Sequence, residues 1–141
     1  MAGSPAREDP SGTPLPAKLG IRQGSRVVLA GAPEGFELGP LPGGVRIGSR
    51  ATPPVDVALL FVTRRAQLDR RFGPLRRALD PAGRLWVAWP KRAAKVDTDL
   101  TFEVVQRHGL DAGMVDNKSA SIDGTFQGLQ FVVRLADRPK R

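Results

Sequence analysis

The stretch Val55-Asp-Val-Ala-Leu-Leu-Phe-Val62 decides the fold. Only Asp56 interrupts an otherwise apolar run, and Pro53-Pro54 opens it. A strand so nearly continuous in apolar character has both faces covered, as in a parallel sheet between helices. Downstream, Leu68, Phe72, Leu75 and Leu79 recur at i, i+4, i+7 and i+11, which places them on one helical arc. Gly73-Pro74 falls inside this segment, so the pattern predicts a kink or two short helices sharing one buried face. Asp80-Pro81-Ala82-Gly83 reads as a turn, and Arg84 to Trp89 as a second buried strand stopped by Pro90. Strand, helix and strand of this length form a right-handed parallel unit.

Upstream, Arg26 to Ala30 reads as a short buried strand, followed by the loop Gly31-Ala-Pro-Glu-Gly-Phe36. Gly39-Pro40 and Pro42-Gly43-Gly44 forbid a long helix, and Val45 to Ile47 reads as a very short strand. Beyond Pro90 the chain runs through a basic loop, Lys91 to Val96. Asp97, Thr98 and Asp99 offer N-caps for a helix reaching about His108, with Leu100, Val104, Val105 and His108 inward and Gly109 as the C′ residue. Met114 to Ile122 and Phe126 to Leu135 read as strands joined by the hairpin signal Asp123-Gly124. The expected architecture is a three-layer α/β fold with a mostly parallel sheet and a C-terminal antiparallel hairpin, spanning residues 19–135. Residues 1–18 hold Pro5, Pro10, Pro14 and Pro16 without hydrophobic period and are expected to be a disordered arm. Residues 136–141 are expected to be a charged tail.

The chain has 141 residues, with Lys+Arg 22 against Asp+Glu 14 and a formal net charge of +8. There is no Cys, which excludes a disulfide framework, a thiolate nucleophile and Cys-ligated metal. A single His excludes a His-rich metal site and a two-His acid/base pair. The longest apolar run is far shorter than the roughly 20 residues of a membrane span. The opening stretch carries acids and prolines rather than an apolar core, so no secretory signal is expected there and the protein is expected to be cytoplasmic.

Two resemblances follow. The run from Val55 through Trp89, with the terminal hairpin, resembles the second half of a class I methyltransferase fold and implies a Rossmann-like architecture. More specifically, the chain resembles the small bacterial family called domain of unknown function 3052. The residues that carry this are Lys18-Leu19-Gly20, Gly31 to Phe36, Val55-Asp56, Trp86 to Lys91 ending in Trp-Pro-Lys, Asp99-Leu100-Thr101 and Lys118 to Asp123. The match covers roughly residues 18–135, with Phe126 standing where the family pattern would have Trp. The resemblance implies a fold and a motif map but no reaction.

In such folds the loop after the first strand binds the nucleotide, and an acid after the second strand holds the ribose. Gly31 and Gly35 are present, but Pro33 removes an amide donor between them. Gly48, Ser49 and Arg50 follow the second strand with no carboxylate, and an Arg there could face a phosphate instead. Asp56 opens its strand and so lies at the opposite end of the sheet from Glu34, which defeats a carboxylate pair. Trp86 and Trp89 point to opposite faces; Trp86 is expected in the core, and Trp89 either packs under a helix layer or stands at the carboxyl rim with Lys91. His108 reads as a capping or packing residue. Ser119 and Ser121 have no base partner, which makes a hydrolase a poor reading. Arg64, Arg65, Arg70, Arg71, Arg76 and Arg77 surround one helix without forming a stripe, as on a solvated helix. Lys91, Arg92 and Lys95 add a second basic cluster.

The expected activity is therefore non-catalytic: binding of a small anionic ligand or a protein partner at the carboxyl edge, through Glu34, Trp89, Lys91 and Asp99. The alternatives are an S-adenosylmethionine-dependent methyltransferase and a basic nucleic-acid binder. Charge alone predicts non-specific nucleic-acid attraction. No cofactor or metal is firmly implied, and no membrane association is expected.

Overall fold

A computed structural model describes residues 12–139. Most of the expected arm, residues 1–11, and the last two residues of the expected tail lie outside the described residues. In chain order the elements are α1 (Leu15–Leu19), β1 (Arg26–Ala30), β2 (Arg46–Gly48), β3 (Val55–Phe61), α2 (Arg65–Ala78), β4 (Leu79–Pro90), α3 (Phe102–Asp111), β5 (Met114–Ser121) and β6 (Phe126–Val133). Short 3-10 turns at Arg92–Ala94 and Leu135–Asp137 complete the described chain. Residues 15–18, expected in the arm, instead belong to α1. Pro14 precedes the helix, and Gly20 ends it in the left-handed region.

One six-stranded sheet runs in the order β2-β1-β3-β4-β6-β5. β2, β1, β3 and β4 pair in parallel, whereas β6 is antiparallel to both β4 and β5. The expectation of a three-layer, mostly parallel, Rossmann-like fold is therefore corrected. The sheet is mixed, its C-terminal part is antiparallel, and the molecule is rich in strand rather than helix. Both long helices also share one face. Leu68, Phe72 and Leu75 of α2 and Val105 of α3 join one core cluster with Val28, Ala58, Leu60, Val87 and Phe131. The opposite face is covered by α1 and by loop residues such as Phe36 and Leu38, over Val27, Leu59, Phe61 and Trp86.

The physical reason lies between β1 and β3. Gly31, Gly35, Gly39 and Gly44 all take positive φ there, and prolines interleave with them, so no helix forms to cover the second face. Parallel strands of one sheet are ordinarily joined by a crossover of about a dozen residues or more. The link from β2 to β3 spans only residues 49–54, with Ala51 packed on the helix-bearing face.

β3 is the interior strand that its composition predicts, with Val55 and Val57 through Phe61 all buried. Burial of each of these side chains other than Ala58 contributes roughly 1.5–3 kcal/mol. Four local expectations shift. α2 is one 14-residue helix with Pro74 on its exposed side rather than two short helices, and Leu79, expected on its arc, instead opens β4. Asp80–Gly83 is not a separate turn but a bulge inside β4, where Val55 pairs with Leu79 and Val57 with Arg84. Gly83 permits it, because a Cβ there would lie 2.9 Å from the Val55 carbonyl oxygen. α3 starts at Phe102 with Thr101 as N-cap, its side chain accepting from Val104 N at 3.2 Å. Gly109 lies inside α3 rather than after it, buried against the Phe131 ring, and Gly113 takes the positive φ instead. The hairpin is as expected: Asp123 Oδ1 accepts from Thr125 N and Phe126 N at 2.9 and 2.8 Å.

Candidate functional site

The four residues expected at the carboxyl edge stand in different surroundings. Glu34 is exposed on the loop after β1, and Phe36 two residues on packs edge-to-face on Phe61, with ring centroids 4.8 Å apart. That contact lies on the face covered by α1. Trp89 belongs to the opposite face, buried in the cluster under α2 and α3 and 6.4 Å from the Phe102 ring. Trp86 points to the other side, as its spacing predicts, and its Nε1 donates to the Leu19 carbonyl at 3.0 Å. Lys91 Nζ donates to Ser121 Oγ at 2.7 Å, tying the end of β4 to β5.

Asp99 serves the start of α2. Its Oδ1 accepts from Arg65 N at 2.8 Å, while Gln67 Oε1 accepts from Thr63 N at 2.7 Å and Arg64 N at 3.2 Å. These oxygens satisfy amide donors that a helix N-terminus leaves open. Thr98 Oγ1 donates to the Thr63 carbonyl at 2.6 Å, and Arg64 pairs with Asp97. The loop 91–101 is thus a strap across the tips of β3 and α2. Gly31 fits the same crowded rim, since a Cβ there would lie 2.7 Å from the Phe61 carbonyl oxygen. Its positive φ and close approach give the Gly31–Phe36 turn a packing role. His108 also has a structural place, with Nδ1 3.5 Å from Asp69 Oδ1 and its ring edge-on to Phe72.

Two open cavities lie away from that rim. One, of about 400 Å³, sits at the amino end of the strands and is lined by Arg22, Asp56, Asp80 and Arg84 among others. Its carboxylates already hold backbone: Asp56 Oδ2 accepts from Arg26 N at 2.8 Å, and Asp80 Oδ2 from Ala82 N at 2.9 Å. Asp56 at the start of β3 is where its sequence position puts it.

The second cavity, about 480 Å³, lies over β1 and β2 where the short 49–54 link leaves the sheet thinly covered. Arg26, Arg46 and Arg50 line it, with the hydroxyl residues Ser49 and Thr52. Arg26 and Arg46 are register partners on adjacent parallel strands, so their backbones stand about 4.8 Å apart and their side chains leave the same face. Val28 and Gly48, the next pair on that face, continue the floor. Val55, Pro53 and Pro54 form the apolar wall. No acidic residue lines this cavity among the described residues, and no described hydrogen bond or ion pair engages the three guanidinium groups. Guanidinium forks match the oxygens of phosphate and carboxylate in bidentate geometry. Sequence reasoning singled out Arg50 for a phosphate but passed over Arg26 and Arg46. Their signal was positional: each arginine opens a short strand, and only the pairing of those strands brings them together.

Among the described residues, no group of three or more His, Asp or Glu is placed to hold a metal ion. No described helix is long and apolar enough to cross a membrane. No family model matches the chain, and no curated protein matches it. The functional reading therefore rests on geometry.

Proposed function

We propose that the protein acts by binding a small anionic ligand, and that it does so at the Arg26–Arg46–Arg50 cavity. One observation carries the reading. Three arginines, with no acidic residue among the described lining, frame a concavity whose floor is the sheet itself. Two of them stand on paired strands, which are more rigid supports than loops. No nucleophile with an adjacent base lines the cavity, so binding rather than covalent chemistry is the activity this residue set supports.

The three arginines are exposed, so their attraction is screened by salt. Calorimetric titration of the full chain with inorganic phosphate and pyrophosphate at low ionic strength tests the reading. Saturable binding that weakens with added salt is expected. Arg46→Ala is expected to lower affinity by about tenfold or more, as for loss of a charge-assisted bidentate contact. No saturable uptake of either anion, or uptake indifferent to Arg46→Ala, contradicts the proposal.

A further inference from the structure

We infer that the ligand of this cavity is an organic phosphomonoester, its phosphate held by the arginines and its apolar part lying against Pro53 and Pro54; the inference rests on the anion-binding reading above. Charge gives the first part. A phosphomonoester carries about −1.5 to −2 at neutral pH, whereas a simple carboxylate carries a single charge. Three guanidinium groups around one concavity match the larger charge. The Ser49 and Thr52 hydroxyls add neutral donors on the same stretch of chain.

Size and wall chemistry give the second part. The cavity measures about 480 Å³. A bare phosphate fills the space of a few water molecules, at about 30 Å³ each, so most of the volume remains for another group. The exposed apolar boundary of that remaining space is Pro53 and Pro54, which offer no polar side-chain atoms; Val28 and Val55 also border it but are themselves buried. Small-molecule sites characteristically combine such an apolar lining with a few convergent polar groups. Gly48 keeps the space open. It faces the same side as its partner Val28, and a Cβ built on it meets nothing within 4 Å. Its φ lies outside the left-handed region, so other residues fit its backbone.

The test is calorimetry on the full chain with methyl phosphate and phenyl phosphate, against the wild type, Arg46→Ala and Gly48→Leu. Phenyl phosphate is expected to bind about tenfold tighter than methyl phosphate, as burial of the ring implies. Gly48→Leu fills the space beside the arginines and is expected to bring the two ligands level. Arg46→Ala is expected to weaken both. Equal binding of both esters by the wild type, with both dependent on Arg46, overturns the organic-phosphate inference and leaves the anion-binding reading standing. A phenyl preference that survives Gly48→Leu also overturns the inference. Failure of both esters and of inorganic phosphate to bind overturns the reading itself. Circular dichroism of each variant separates loss of binding from loss of fold.

Discussion

Two corners of one face of the sheet are closed by different means. Under α2 and α3, the strands β3, β4 and β6 carry Ala58, Leu60, Leu85, Val87, Leu129 and Phe131, each almost fully buried. At the β2 edge of the same sheet all three strand residues are exposed. The same sheet is sealed where a 14-residue helix crosses it and left open where a six-residue link does. Crossover length, rather than strand composition, decides where the arginine-lined cavity lies. Function is accordingly expected at the poorly covered corner and stability at the well-covered one.

Substitutions at the two corners sharpen that contrast. The largest effect is expected from Phe131→Ala, which removes a ring edge-on to Phe72 at 5.8 Å and leaves a cavity. A loss of about 3–5 kcal/mol is expected in urea unfolding, with phosphate affinity of the folded fraction unchanged. Gly109→Ala follows, because its new Cβ collides with the Phe131 ring. Overpacking of this kind costs about 1–3 kcal/mol, measured the same way. Asp99→Ala is expected to cost about 1 kcal/mol by uncovering the Arg65 amide, with faster hydrogen exchange confined to the first turn of α2. The smallest stability effect belongs to Arg46→Ala, within about 0.5 kcal/mol, since an exposed arginine without a described partner gives up little packing. If Arg46→Ala destabilised the fold as much as Asp99→Ala does, the division between the two corners would fail.

Much of the stable corner was legible in the sequence, and little of the open one was. The apolar run of β3, the Leu68–Phe72–Leu75 arc and the Asp123-Gly124 hairpin are local signals, and each formed the element it predicts. The sheet class was not legible, because apolar content at Val55–Val62 reports burial on both faces without saying what covers them. Here a helix covers one face, and α1 with loops covers the other. The glycines and prolines of 31–54 did announce the missing helix, but the face they would leave bare depends on strand order. Gly109 misled for a related reason: a glycine that ends a helix and one that admits a neighbouring ring look alike in sequence. At the rim, Asp99 and Lys91 are charged residues at strand and helix ends, yet their partners, the Arg65 amide and Ser121 Oγ, come from elements distant in the chain. Arg26 and Arg46 escaped notice because a β1–β2 register, not a motif, sets them side by side.

The most direct measurement is a titration of isotope-labelled full chain with phenyl phosphate, followed residue by residue through backbone amide shifts. The account predicts saturable shifts concentrated in residues 26–28 and 46–55, on the strands and link that frame the arginines. Shifts concentrated instead in residues 31–36 and 89–99 at the carboxyl rim, or none at any residue, would contradict it.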